Sequence, residues 1–160
     1  MMELIIEPML QKHDWEIAHW KYDGIYEFYN RIGNLQYPDN TEEKIENSYV
    51  VYNDKGELIG HFHFGPGGQI PTIENYNYID DYLDMGLGLR PDICGQGFGV
   101  DFIQHGIEFA QKHYKRNKFR LSVAAFNERA VKAYEKVGFI KECEVTNSYF
   151  KNKFYIMIKE

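Results

Sequence analysis

The sequence is poor in the features that mark out specialised classes of protein. Cysteine occurs only twice in 160 residues, at Cys94 and Cys143. Two thiols build no disulfide framework, and in a reducing compartment they are expected to stay free. No stretch approaches the roughly 18 uncharged apolar residues of a membrane span. The N-terminal M-M-E-L-I-I-E-P has acids where a signal peptide carries cations, so a cytoplasmic location is the expectation. Repeats, low-complexity tracts and Ser/Gly linkers are lacking, which leaves a single domain over 1–160. A surplus of cations is lacking too. The net charge is −6, which argues against nucleic acid as the partner, because phosphate binding needs a basic field.

What is present is an ordinary globular composition, 44% hydrophobic and 26% charged, so the chain can build a core without staples. Charge is unevenly spread. Residues 1–94 hold 6 Lys/Arg against 17 Asp/Glu, whereas residues 95–160 hold 12 against 7. Such asymmetry fits a cationic ligand at one half and an anionic one at the other.

The pattern along the chain alternates strands and helices. Residues 2–8 read as a short strand stopped by Pro8. Residues 11–22 place Trp15, Ala18 and Tyr22 at helical spacing, and Ile25–Tyr29 reads as a second short helix. Ser48–Tyr52 and Glu57–Phe64 are strands joined by the hairpin turn Asn53-Asp54-Lys55-Gly56. A Gly/Pro loop over 65–77 leads to a long strand, Tyr78–Arg90. C-G-Q-G-F-G at 94–99 opens a helix whose apolar stripe is Val100, Ile103, Ile107 and Ala110. Phe119–Ala124 is a buried strand. Asn127 can cap a helix to Val137 that Gly138 stops, and strands over 139–146 and 149–158 close the chain. This is a mixed α/β domain around one sheet.

Gly95, Gly97 and Gly99 stand between a strand and a helix, where backbone N–H groups cradle phosphates. Two phosphate motifs fail. A Walker loop needs Gly-Lys-Ser/Thr, which is absent, and the G-x-G-x-x-G fingerprint has its third glycine one position later than here. A third pattern, [Arg/Gln]-x-x-Gly-x-[Gly/Ala], fits from position 94. Together, L-G-L-R-P-D-I-C-G-Q-G-F-G and L-S-V-A-A-F-N-E-R-A-V-K-A-Y-E-K-V-G-F resemble the two signatures of the Gcn5-related N-acetyltransferase (GNAT) superfamily. One position departs: Cys94 stands where the loop usually begins with Arg or Gln.

The resemblance implies a largely antiparallel central sheet flanked by helices. It also implies an acyl-CoA-dependent N-acyltransferase that passes acetyl from acetyl-CoA directly to an amine. The acceptor would be a small molecule or a protein amine, and the family often forms homodimers. On that resemblance the pyrophosphate lies on the backbone of Gly95, Gln96, Gly97, Phe98 and Gly99. Pantetheine pairs with the backbone of Leu87 and Leu89, and Asn127 either contacts it or only caps its helix. Tyr134 is the general acid. Asp84, on the strand face shared with Gly86 and Gly88, is the candidate base, with ordered water as the alternative. Trp15, Trp20, Tyr22, Tyr26 and Tyr29 combine core packing with one wall of the acceptor cleft. No metal is expected, since His61 and His63 share a strand face but lack a third ligand. The competing reading from another class is a CoA-binding or sensing domain without catalysis.

Overall fold

The computed structural model describes residues 3–31, 33 and 35–160; Met2 of the expected first strand lies outside them. The hairpin turn organises the first half. The side-chain oxygen of Asn53 accepts the N–H groups of Lys55 and Glu57 at 3.0 and 2.9 Å, and Gly56 takes a φ of 76°. This is the local bonding that makes Asn a turn residue. It folds β2 (Lys44–Tyr52) back on β3 (Leu58–Phe64). With β1 (Ile5–Leu10), β4 (Leu83–Leu89), β5 (Phe119–Ala124), β6 (Ile140–Thr146) and β7 (Lys153–Lys159), they form one sheet in the order β1-β2-β3-β4-β5-β7-β6. All neighbouring pairs are antiparallel except β4–β5.

Several strand boundaries differ from the sequence expectation: β2 begins at Lys44 rather than Ser48, β7 begins at Lys153 rather than residue 149, and two more differences have a visible cause. Pro8 does not stop β1, which runs on to Leu10. The strand is at the sheet edge and its register slips between Pro8 and Leu10, so the missing N–H is tolerated. At the other end of the half-chain, β4 begins at Leu83 rather than Tyr78. Tyr78 is drawn into the preceding loop, where its hydroxyl bonds the N–H and C=O of Ile70 at 3.1 and 2.8 Å.

Helices cover both faces. α2 (Gly99–Tyr114) buries Phe102, Ile103, Gly106, Ile107 and Ala110, a helical stripe. α3 (Glu128–Val137) starts where Asn127 Oδ1 accepts the Ala130 N–H at 3.1 Å, and it ends at Gly138 with φ 115°. Both pack on the main core with Phe62, Phe64, Leu121 and Val123. The opposite face is covered by α1 (Gln11–Ala18) over Met9, Val50 and Leu58, and by a 3-10 turn, Gly24–Tyr29, whose Phe28 packs on Ala124, Phe154 and Ile156. No helix among the described residues is long and apolar enough to cross a membrane.

One pairing positions the site. The parallel strands β4 and β5 meet only at Leu83–Phe119 and Asp84–Arg120. Beyond that point β4 stays with β3 as far as Leu89, and β5 stays with β7 as far as Ala124. The sheet therefore opens between them.

Candidate functional site

The opening is a cavity of about 600 Å³ that passes from one sheet face to the other. Leu87, Gly88 and Leu89 line it from β4, and Ser122, Val123 and Ala124 from β5. The bond from Arg90 N–H to the Ile59 carbonyl, 2.8 Å, fixes the local register. In that antiparallel register the peptide groups of Leu87 and Leu89 point away from β3 and into the opening. The Leu89 carbonyl already accepts the Tyr22 hydroxyl at 2.7 Å.

At the helical face, Gly95, Gly97 and Gly99 border the cavity. Gly95 and Gly97 hold φ values of 75° and 84°, which a residue with a Cβ rarely adopts. The coil they make turns the chain into α2, whose first turn has no side-chain cap. Its free N–H groups and the helix dipole favour an anion there. Gln96 and Phe98 do not border the cavity; the Gln96 amide is spent on the Asp92 carbonyl, and Phe98 caps α2. Cys94 does border it. Burial pushes the Cys94 thiol up, the Arg129 charge opposing, and its Sγ–H donates to the Leu89 carbonyl at 3.5 Å, so it is not an activated thiol.

The cation absent from position 94 is found nearby. Arg129, in the first turn of α3, lies against Gly95; a Cβ at Gly95 would stand 2.8 Å from its Nη1. Its guanidinium sits 4.4 Å from the centre of the Tyr26 ring, a cation–π seat beside the loop.

Tyr134 and Asn127 reach the same cavity from α3. Tyr134 is only 7% exposed, and among the described residues its hydroxyl has no hydrogen-bond partner. Burial, then the nearby Tyr29 hydroxyl, push it above the ordinary tyrosine range, so it holds its proton. Asn127 does double work: while Oδ1 caps α3, Nδ2 donates to the Tyr29 hydroxyl at 3.0 Å.

Asp84 is not brought to this site. It is 4% exposed and lies at the closed end of β4, outside the cavity lining. Arg120 clamps it with Nε to Oδ1 at 2.6 Å and Nη2 to Oδ2 at 2.8 Å, and Gln69 donates a third bond at 2.9 Å. Arg120 is itself 1% exposed and ringed by Tyr76, Tyr78 and Tyr82. The shared strand face was right, but the pairing with β5 closes the sheet there. A lone charged residue inside the strand FRLSVA was the available signal, since a buried charge demands a partner.

On the opposite face the wall is aromatic: Trp20, Tyr22, Tyr26 and Tyr29, with Arg31. Trp15 belongs to a separate shallow depression, donating its Nε1–H to the Leu35 carbonyl at 3.1 Å. No Asp or Glu lines the cavity among the described residues, so the acidity of the N-terminal half does not converge on it. His61 also lines the cavity, and its Nδ1 lies 3.1 Å from Nε2 of His63. No group of three or more His, Cys, Asp or Glu among the described residues is placed to hold a metal ion.

Comparison with known proteins agrees with this architecture. Residues 10–139 match the model of the acetyltransferase (GNAT) family. The chain is 24% identical over 143 residues to the spermidine N(1)-acetyltransferase of Vibrio cholerae, covering 89% of this chain and 76% of that protein. Among solved structures, a GNAT-family acetyltransferase from Bacillus anthracis superposes with a TM-score of 0.68 at 16% identity, over 99% of this chain and 97% of the other. A spermidine N-acetyltransferase chimera from Vibrio cholerae and hSSAT gives 0.66 at 20% identity, over 98% and 94%. These structural likenesses speak to the fold.

Proposed function

The chain belongs to the acetyltransferase (GNAT) family and is an N-acetyltransferase; from that premise we propose how its cleft works. Acetyl-CoA enters from the helical face. Its pyrophosphate lies on the backbone from Gly95 to Gly99 and the N-terminus of α2, and Arg129 supplies the charge that Cys94 does not. Pantetheine runs through the opening along the peptide groups of Leu87 and Leu89 that face away from β3, which brings the thioester between the splayed strands. The amine arrives from the aromatic face. Attack of its lone pair on the thioester carbon forms the C–N bond and expels the thiolate. The buried, protonated Tyr134 hydroxyl donates to that sulfur. Asp84 takes no part in the chemistry and braces the sheet through Arg120.

The single observation that carries this reading is the parting of β4 from β5 after Asp84, which joins a phosphate-binding helix start on one face to an aromatic pocket on the other. The acceptor is a small-molecule amine, as the Vibrio cholerae relative's spermidine supports. Here the wall of four aromatic rings and no carboxylate favours an amine with an apolar or aromatic body over a polycation. A dodecameric spermidine N-acetyltransferase from Vibrio cholerae supports self-association, which light scattering would measure.

The test is thermal stabilisation followed by turnover. Acetyl-CoA at 100 times its Kd should stabilise the fold by about 2.7 kcal/mol, with NAD and ATP doing far less. Thiol release should then be followed with phenethylamine, tyramine, lysine and spermidine. Equal stabilisation by NAD, or no acceptor-dependent release with any amine, would overturn the reading.

A further inference from the structure

Strand β3 carries two imidazoles that the chemistry above leaves unused. His61 pairs with Gly88 of β4 in the sheet, at the open end of the cleft. A Cβ on Gly88 would stand 2.4 Å from His61 Nε2, so the ring occupies the space that glycine leaves free. Nε2 therefore lies over the strand along which the thioester is drawn. Behind it a hydrogen-bond chain runs away from the cavity. His61 Nδ1 meets His63 Nε2 at 3.1 Å, and His63 Nδ1 meets Ser48 Oγ at 2.8 Å. Ser48 is buried, and its Oγ donates to the Glu46 carbonyl at 3.2 Å.

The polarity of this chain follows from its far end. When the Ser48 hydroxyl gives its one proton to the Glu46 carbonyl, 3.2 Å away, its oxygen is left to accept from His63. His63 must then donate from Nδ1 to Ser48, which leaves its Nε2 as an acceptor. His61 in turn donates from Nδ1 to His63. The nitrogen left with a lone pair is His61 Nε2, and among the described residues it has no partner.

We propose that His61 is the base that takes the proton from the acceptor nitrogen, with His63 and Ser48 as the positioning residues that hold its Nε2 lone pair toward the cleft. This rests on the acetyl-transfer reading above. As the C–N bond forms, the nitrogen becomes cationic and strongly acidic, and its proton passes to Nε2. The C–S electron pair leaves with sulfur, which takes the Tyr134 proton. One proton leaves nitrogen and one reaches sulfur, and water resets both side chains when the products depart.

The charged groups facing the two rings are the Arg31–Asp14 ion pair and the imidazoles themselves. Burial, then His63 and Arg31, lower His61 to about 3, so it waits in its neutral form at any ordinary pH. A proton it accepts is relayed toward His63 through Nδ1; burial lowers His63 too, with the Asp14 carboxylate opposing.

The first test needs no acceptor. Nitrogen-15 NMR of the histidine-labelled protein should show His61 as the Nδ1–H tautomer with Nε2 bare; the Nε2–H tautomer would overturn the assignment. The second uses the fastest acceptor among phenethylamine, tyramine, lysine and spermidine. His61→Gln and His61→Asn should each lower kcat by about 10²–10⁴-fold, with acetyl-CoA affinity within about twofold. Unchanged kcat, or an equal loss of coenzyme affinity, would remove His61 from the base role while leaving acetyl transfer intact. Absence of turnover by the unsubstituted protein would instead overturn the transferase reading beneath it. His63→Leu should lower kcat about tenfold with KM unmoved, and His63→Gln, which still offers an acceptor to Nδ1–H, should recover most of it. Equal rates for those two variants would show that His63 does not position the base.

Discussion

At Leu83 and Asp84, strand β4 is bonded to β5, and Asp84 is clamped by Arg120 with both side chains almost wholly buried. At Leu87–Leu89 the same strand has lost β5, the peptide groups of Leu87 and Leu89 face the opening, where the Leu89 carbonyl takes the Tyr22 hydroxyl, and Gly88 gives its side-chain space to His61. The closed end holds a charge pair in which Asp84 takes two bonds from Arg120 and one from Gln69, while Arg120 Nη1 is left without a hydrogen-bond partner among the described residues. The open end gathers weakly partnered groups, the Tyr134 hydroxyl, Nε2 of His61 and the glycine-loop amides, with the Arg129 guanidinium beside them. A sheet that is to be opened for a ligand must be secured elsewhere, and an arginine fork is a strong local clasp because two parallel bonds fix its geometry. Stability and chemistry are thus separated along one strand, and substitutions at its two ends should fail in different ways.

The largest effect belongs to the closed end. Asp84→Ala leaves Arg120 buried and unpaired, which should cost about 3–5 kcal/mol of stability, read as a lower urea midpoint. Where enough folded protein remains, its kcat should stay near that of the unsubstituted chain. A folded variant that is fully stable yet inactive would reverse the assignment of the two ends. The open end should behave oppositely. Tyr134→Phe keeps the ring against Phe139 and removes only the hydroxyl, so the melting temperature should hardly move. Turnover should fall about 10²–10⁴-fold with acetyl-CoA affinity retained, which steady-state kinetics and calorimetry would separate. Unchanged kcat under chemistry-limited conditions would leave water to protonate the sulfur.

Arg129 sharpens the comparison within the open end. Arg129→Ala should weaken acetyl-CoA binding about tenfold, in line with about 1.5 kcal/mol for a charged hydrogen bond. The loss should shrink as salt rises, since the guanidinium is exposed. Cys94→Arg in that background should restore part of the affinity. Retained affinity after the first substitution would leave the phosphates to the backbone alone.

The effect that is smallest near neutral pH, and grows as pH falls, is in acid. The folded protein keeps His61 neutral down to about 3 and lowers His63 as well, both mainly through burial. The unfolded chain takes up these protons near 6.5, so it binds more protons than the fold between about 3 and 6.5. Stability should therefore be complete above about 6.5 and fall as pH drops below it, by at most about 1.4 kcal/mol per pH unit for each imidazole. Urea midpoints across that range would measure it, and His61→Gln should flatten the slope. An unaltered slope would place the acid sensitivity elsewhere.

Much of this molecule was legible before any coordinates. Turn chemistry at Asn53 and Gly56, the apolar stripe of α2, the Asn127 and Gly138 caps of α3, and the three glycines before α2 all act within a few residues of themselves. Local sequence is therefore enough to announce them. The same holds for Tyr134, Asn127, Leu87 and Leu89, which the fold gathers around one cavity. Asp84 misled because alternation assigns a strand face, and a face does not say how far along the strand the sheet is open. Arg120, Arg129 and the two histidines were visible as residues but not as partners.

The amino-acid sequence by itself determined the order of the elements, the glycine turn before α2 and the mixed α/β character around one sheet, because hydrophobic period, caps and positive-φ glycines are properties of short segments. Only the tertiary structure decided where β5 leaves β4, that Asp84 belongs to Arg120, that Arg129 stands beside the loop where Cys94 brings no charge, and that the His61 ring fills the space over Gly88 at the cleft. Each of these joins residues 27 or more positions apart in the sequence. Such pairings are set by how the whole sheet packs, and no local pattern in the chain encodes them.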